Sequence, residues 1–383
     1  MSLDDIKKIA VIGAGDMGHG IAAVALLAGF EVSMRDIEQR FVDRGVEGIK
    51  KSLAKFVEKG KITEDARIDA LARLEGLVDF DAAVSDADFV IEAVPEIVPL
   101  KKDTFSELSK YTHPHTILAS NTSNISITVL AEATEKPDKV VGMHFFNPAV
   151  LMKLVEIIKG EKTSFETADI AYRIAQKMNK VPILVKIDSP GFVYNRVNAP
   201  VTMLLSKILD AGSPSPEEFD AAFKGIMPMT PFELADYVGL DVAYHSLDYF
   251  SQVLSGEYAP SEKWKKMLDA GTLGKKTGGG FFDWSAGRPE IDQAKATKEF
   301  DINHLIALQV NEATKLLEEG VVDDPKEIDL AMANGGGSPF GPFQLATGIG
   351  YETLIQKCNE LADKFNVESF RPTKTMKAGN IKV

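Results

Sequence analysis

The sequence predicts an α/β domain built on a largely parallel sheet, followed by an all-α region that contains two related helical units. Three observations carry that expectation. In the first half of the 383-residue chain, short apolar runs alternate with amphipathic stretches, the pattern of strands joined by crossover helices. At Asp188-Ser189-Pro190-Gly191 the strand-like runs stop and helix-period patterns take over. Within that helical half a segment recurs. Pro231-Phe232-Glu233-Leu234-Ala235, followed by Gly239, returns as Pro342-Phe343-Gln344-Leu345-Ala346, followed by Gly350; upstream, Glu218-Phe219-Asp220 matches Glu327-Ile328-Asp329.

In chain order, strands are expected over 8–12, 31–34, 89–93, 116–120, 140–144, 154–158 and 183–185. Between the second of these and Phe89 runs a charged stretch, about 38–74, with Lys and Glu on one face and Ile, Leu, Phe and Val on the other. It reads as a helical hairpin protruding from the sheet. The expected domains are therefore 1–188, carrying that insertion, then a first helical domain over 189–290 and a second, repeated one over 300–383. Gly278-Gly279-Gly280-Phe281-Phe282-Asp283-Trp284 and the polar residues to Glu299 read as the loop and linker between the copies.

Composition removes several function classes. With 45% hydrophobic and 26% charged residues the chain has enough apolar material for real cores. A net charge of −13 and a pI near 5.1 argue against nucleic acid or an anionic membrane as partner. The single cysteine, Cys358, excludes an intramolecular disulfide and a multi-cysteine metal site, so no metal is expected. It fits a reducing cytosol and reads as a buried helical thiol. The apolar run 21–30 is too short to span a bilayer and has no cleavage site after it, which points to a cytoplasmic protein.

The first chemical motif is Gly13-Ala14-Gly15-Asp16-Met17-Gly18, placed after the strand 8–12 and opening an alanine-rich helix over 21–28. That is the context of a Rossmann-type dinucleotide-binding turn. Gly13 permits the tight turn, Gly15 lets a pyrophosphate approach the backbone, and Gly18 lets helix and strand pack closely. Asp36, at the end of the second strand, is placed to accept hydrogen bonds from ribose hydroxyls and to repel a 2′-phosphate. Neighbouring Arg35 should point to the opposite face. NAD is thus expected rather than NADP.

The second motif is the segment 140–156. It reads as strand, proline turn and strand; folded back near Val150, it sets His144 and Glu156 six residues either side of the turn and facing each other. Removing hydride from an alcohol needs a base for the hydroxyl proton, and imidazole titrates near working pH. Glu156 would fix the tautomer and stabilise the imidazolium. Among the six histidines, His113 and His115 read as solvated loop residues, His19 as surface, and His245 and His304 as packing or solvent-facing.

Together, Asn121-Thr122-Ser123, His144-Phe145-Phe146-Asn147-Pro148, Glu156 and Pro190-Gly191-Phe192-Val193-Tyr194-Asn195-Arg196 resemble the 3-hydroxyacyl-CoA dehydrogenase family, over about 7–284. The resemblance implies that His144 is the general base paired with Glu156, while Ser123 and Asn195 hold the substrate around the reacting carbon. It places Glu96, Lys101, Asn121, Asn147 and Lys276 around NAD. It places Ser52 and Lys59 at the adenine-nucleotide end of CoA, beside the basic face of Lys50, Lys51 and Lys55. It further implies the S configuration at C3, and a short acyl group is expected because Met152, Met203 and Met227 would crowd the acyl pocket.

The sequence departs from the family in the second helical copy after Phe300. Shorter members associate through their one copy, so either a homodimer or a pseudo-dimeric monomer is expected. Some relatives continue into an enoyl-CoA hydratase, which makes fusion to or association with one an expectation. The rival readings are a dehydrogenase of a free hydroxy acid or sugar acid, of the L-gulonate type, and a non-catalytic NAD-binding protein.

Overall fold

The computed structural model describes residues 2–381 and 383, which divide into two compact units. The first unit runs to Val193 and takes back Gly320–Gly341; the second comprises Tyr194–Glu319 and the chain from Pro342.

The first unit opens with β1 (Lys8–Ile12), α1 (Asp16–Leu27), β2 (Glu31–Arg35), α2 (Gln39–Glu58), α3 (Glu64–Leu71), β3 (Leu74–Leu77) and α4 (Phe80–Val84). It continues with β4 (Phe89–Glu92), α5 (Val98–Tyr111), β5 (Ile117–Ser120), α6 (Ile127–Ala131), β6 (Val140–Phe145), β7 (Leu154–Ile158), α7 (Phe165–Lys177) and β8 (Val181–Val185). The strands form one sheet in the order β3-β2-β1-β4-β5-β6-β7-β8, parallel throughout except where β6 meets β7. The central strands are apolar and buried on both faces, as parallel strands covered by helices must be. All seven predicted strands are present. The added one, β3, is a half-exposed edge of sequence Leu-Glu-Gly-Leu, too short and too polar to show as a periodic run.

The expected helical hairpin is α2 and α3, but it does not simply protrude. Val42, Gly45, Ile49 and Leu53 of α2 are buried, and a Cβ on Gly45 would lie 2.8 Å from the Cβ of Ala14. Small residues let α2 cross close over the glycine turn while its Lys-rich face stays in solvent.

The second unit repeats one helical plan. Its first copy is α8 (Tyr194–Ala211), α9 (Pro216–Ala221), α10 (Pro231–Val238), α11 (Leu240–Val253) and α12 (Glu262–Asp269). The second is α13 (Ile302–Glu318), α14 (Pro325–Gly336), α15 (Pro342–Ile349), α16 (Tyr351–Phe365) and α17 (Lys374–Ala378). Of these, α14 belongs to the first unit, where it packs on β7 and β8. Gly239 and Gly350 break the plan at the same point with φ of +117° and +96°, which explains why the repeat retains glycine there. Asp220 ties α9 to α10 by accepting from Phe232 N at 3.0 Å, Glu233 N at 2.8 Å and Thr230 Oγ1 at 2.8 Å. Burial pushes its carboxyl up to about 7 despite these bonds.

Candidate active site

The glycine turn behaves as its spacing predicts. Gly13 has φ +105°, and a Cβ there would meet the Ala93 carbonyl at 2.6 Å; one on Gly18 would meet the Gly13 carbonyl at 1.8 Å. Around Gly15, which caps the N-terminus of α1, there is no protein atom within 4 Å of such a Cβ. Two glycines are thus required by the fold, while the third leaves space in front of a helix N-terminus, with Asp16 and Met17 in its exposed first turn. This suits a dinucleotide's pyrophosphate. Asp36 Oδ2 accepts from Ala14 N at 2.8 Å, so the acidic residue is anchored on the turn itself. Arg35 points away: its Nε donates to the Val78 carbonyl at 2.9 Å and its guanidinium lies over the Phe80 ring. The cation beside Asp36 is therefore engaged elsewhere, as strand alternation requires, and the acidic residue favours NAD.

Beyond the turn, β4 and β5 end in a buried network. Glu92, fully enclosed, receives Lys101 Nζ at 2.6 Å, Ser120 Oγ at 2.7 Å and Val94 N at 2.7 Å. Burial drives the Glu92 carboxyl upward against the pull of Lys101 and these hydrogen bonds. Lys101 is 1% exposed and also lies 3.3 Å from Glu96. Glu96 Oε1 accepts from Thr122 Oγ1 at 2.5 Å, Ser123 N at 2.9 Å and Asn124 N at 3.2 Å. Burial raises the Glu96 carboxyl, but Lys101 and those bonds outweigh it and hold the group below the usual range. Glu96 thus shapes the loop that presents Ser123. Lys101, expected near the cofactor, is the buried counter-ion of this carboxylate pair. Glu92 was not singled out by sequence, where it reads as the apolar end of a strand; an acidic residue closing a buried strand was the available signal.

Asn121 Oδ1 accepts from Phe145 N at 2.9 Å, which fixes the end of β6. There the antiparallel register sets His144 directly opposite Glu156, and His144 Nδ1 lies 2.6 Å from Glu156 Oε2. Glu156 is fully buried and its other oxygen accepts from Val193 N at 3.0 Å. His144 is 6% exposed and packed between the rings of Phe146 and Phe192. The imidazole is thereby held in one orientation, with Nδ1 committed to the carboxylate and Nε2 left for chemistry. The turn that closes this hairpin is braced by a residue the sequence did not reveal: Lys180 donates to the carbonyls of Ala149 and Met152, and burial lowers its ammonium to about 8.

The other expected site residues fall on several elements of each unit. Asn147 is exposed just after β6, and Ser52 and Lys59 lie on and just past α2. In the second unit, Asn195 lies in the first turn of α8, and Lys276 pairs with Asp241. The loop carrying Lys276 is pinned by Asp236, which accepts from Phe281 N, Phe282 N and Trp284 Nε1 at 2.9–3.0 Å. Of the three methionines expected to crowd an acyl pocket, Met203 is core, Met152 is half-buried in the first unit and Met227 alone lines a cavity of the second. Among the described residues no group of metal-ligating side chains occurs, and no helix is long and apolar enough to cross a membrane.

A glycine turn at a helix N-terminus, an acidic residue closing the second strand, and an imidazole–carboxylate pair on neighbouring strands define a dinucleotide-dependent dehydrogenase. More narrowly, the chain belongs to the 3-hydroxyacyl-CoA dehydrogenase family. Residues 8–188 match that family's NAD-binding domain, and residues 191–284 and 300–379 each match its C-terminal domain. The chain is 44% identical over 280 residues to a probable 3-hydroxybutyryl-CoA dehydrogenase of Deinococcus radiodurans, covering 72% of this chain and all of that one. It is 35% identical to the fatty acid oxidation complex subunit alpha of Psychrobacter cryohalolentis over 94% of its own length, but spans only 53% of that protein. The crystal structure of 3-hydroxybutyryl-CoA dehydrogenase from Escherichia coli superposes with a TM-score of 0.89 at 28% identity, covering 97% of this chain and 98% of the other.

Proposed function

We propose that this chain interconverts (S)-3-hydroxyacyl-CoA and 3-ketoacyl-CoA with NAD, acting on short acyl groups such as 3-hydroxybutyryl. The observation that carries the reading is the buried 2.6 Å contact between His144 Nδ1 and Glu156. With Nδ1–H held by the carboxylate, His144 Nε2 is the base that takes the C3 hydroxyl proton, and Glu156 stabilises the imidazolium that results. NAD, when bound, accepts the hydride from C3. Gly13, Gly15, Asp16, Met17, Gly18 and Asp36 would hold it, with Glu96, Asn121, Asn147 and Lys276 around it and Lys101 bracing Glu96. Ser123 and Asn195 hold the C3 oxygen, and in the reductive direction they stabilise the developing oxyanion. Ser52 and Lys59 meet the phosphate-rich end of CoA, where Lys50, Lys51 and Lys55 are also exposed.

Within the second unit, α8 and α13 pack side by side, joined by Arg196 and Glu312 at 2.5 Å and by Gln309 and Asn198 at 2.9 Å. This copy-on-copy seam supports a pseudo-dimeric monomer over a homodimer; a native mass of twice 41.7 kDa would rule that out. The same reading includes a cytoplasmic setting and fusion to or association with an enoyl-CoA hydratase, in keeping with the likeness to a fatty acid oxidation complex subunit.

The test follows NADH absorbance with acetoacetyl-CoA, with free acetoacetate in parallel. The expected result is rapid CoA-dependent oxidation that His144→Ala lowers on the order of 10³-fold. Activity confined to the free acid would transfer the protein to the hydroxy-acid dehydrogenases.

A further inference from the structure

Where β4 and β5 leave the sheet, the chain makes two loops, one carrying Glu96 and the other Asn121, Thr122 and Ser123. Glu92 stands opposite Ser120 in the parallel register, at the root of both. Its carboxylate is bonded to each. Oε1 accepts from Val94 N at 2.7 Å in the first loop, and Oε2 accepts from Ser120 Oγ at 2.7 Å where the second begins. The Glu92 carbonyl also accepts from Asn121 N at 2.8 Å. From α5, Lys101 Nζ then reaches Glu92 Oε1 at 2.6 Å, the Val94 carbonyl at 3.2 Å and Glu96 Oε2 at 3.3 Å.

Glu92 is 0% and Lys101 1% exposed. Replacing a buried ion pair by apolar side chains of like size is often neutral or stabilising, so stability alone does not call for these charges. What they accomplish is the division of one ammonium between two carboxylates, with Glu92 the nearer. Glu96 turns Oε2 to Lys101 and keeps Oε1 for the second loop, accepting from Thr122 Oγ1 at 2.5 Å, Ser123 N at 2.9 Å, Asn124 N at 3.2 Å and Ser123 Oγ at 3.3 Å. If the Glu92 charge were removed, Coulomb attraction would draw the ammonium onto Glu96. The carboxylate that holds the Ser123 loop would then be pulled from it.

We propose that Glu92 is a positioning residue for the reaction: by keeping the Lys101 ammonium on itself, it leaves Glu96 free to hold the Thr122-Ser123-Asn124 backbone, and so sets where the Ser123 hydroxyl meets the C3 oxygen. The proposal rests on the functional reading above, in which Ser123 touches the substrate. Glu92 itself is enclosed and acts through Lys101, Glu96 and Ser120.

The experiment measures kcat and KM for acetoacetyl-CoA at saturating NADH in the wild type, Glu92→Gln, Ser123→Ala and the double variant. Glutamine keeps the shape of Glu92 and removes its charge. Glu92→Gln is expected to lower kcat on the order of 10²-fold, the scale of a displacement of about 1 Å at a reacting group, with KM within about threefold. In the Ser123→Ala background the same substitution should cost less than about threefold, because residues that act through one another do not add. A merely structural Glu92 would cost the same factor in both backgrounds, and that result would overturn the proposal while leaving the dehydrogenase reading intact. Should Glu92→Gln fail to fold, Glu92→Gln/Lys101→Met leaves neither member of the pair buried alone and carries the same comparison. Its kcat should stay low, again only where Ser123 is present; a return to wild-type kcat would show that the two charges serve only to neutralise each other. Absence of wild-type activity on acetoacetyl-CoA would overturn the dehydrogenase reading and this proposal with it.

Discussion

The two helical copies show how one sequence plan yields two different physical objects. In the first, an apolar cavity of about 340 Å³ lies between α8, α10 and α11, and Asp236 pins a glycine-rich loop across α10. In the second, α15 and α16 lie directly on α13, where Ala313 and Cys358 are small. At matched positions on the two long helices stand Arg196, always charged, and His304, which titrates. The difference teaches that a duplicated core can keep its topology while the packing of its helices diverges. The two copies meet along the seam between α8 and α13.

The largest test of this comparison removes the charge that joins the copies. Arg196 is buried against Glu312 at 2.5 Å and Glu319 at 2.8 Å, and these carboxylates hold its guanidinium above its ordinary range against the effect of burial. Arg196→Leu leaves Glu312 buried with Lys315, at 2.7 Å, as its remaining cation among the described residues, and should cost about 3–5 kcal/mol in urea unfolding. An unchanged midpoint would show that the seam carries no stability.

Next is the functional asymmetry. Asn195 and its counterpart Asn303 both lie in the first turn of their helices, α8 and α13, and Asn195 lines the cavity between α8, α10 and α11. Asn195→Ala should lower kcat/KM for acetoacetyl-CoA on the order of 10²-fold, whereas Asn303→Ala should leave it within about twofold; equal losses would abolish the distinction between the copies. Smaller again is Asp236, whose matched residue is Thr347. Asp236→Ala strands three donors, so it should cost about 2 kcal/mol and expose the 271–284 loop to protease before the rest of the chain. A loop that resists cleavage would show that its own turns hold it.

Legibility followed the physics of each region. The glycine turn, the seven buried strands and the His144–Glu156 hairpin all rest on local periodicity or fixed spacing, and each stands where its residues predict. The repeat was legible because Gly239 and Gly350 answer a backbone demand that only glycine meets without strain. What escaped were the groups whose meaning is tertiary. Glu92 and Lys180 look like a strand end and a surface lysine until the fold buries them, and the ion pair of Lys101 with Glu92 becomes visible only in the folded chain. The return of α14 to the first unit also escaped, because its own sequence repeats a helix that remains in the second.

The smallest effect sharpens the comparison through pH. His304 is 4% exposed, with Nδ1 3.2 Å from Asp301 and Nε2 3.3 Å from Glu360, and with Lys357 reaching Asp301 at 3.2 Å. Burial lowers its pKa and Lys357 adds to this, outweighing the two carboxylates. A histidine lowered on folding binds fewer protons in the native state than in the unfolded one. The stability it contributes is therefore complete above the unfolded value of 6.5 and is lost as pH falls through and below it. Arg196, at the matched place, contributes no such dependence. Between pH 7.5 and about 5.5 the wild type should lose a fraction of the roughly 1.4 kcal/mol that one pKa unit carries, relative to His304→Gln. If the two proteins run parallel across that range, the buried imidazole is not the source of the copies' different response to acid, and the groups around it, Asp301, Glu360 and Lys357, must be titrated in its place.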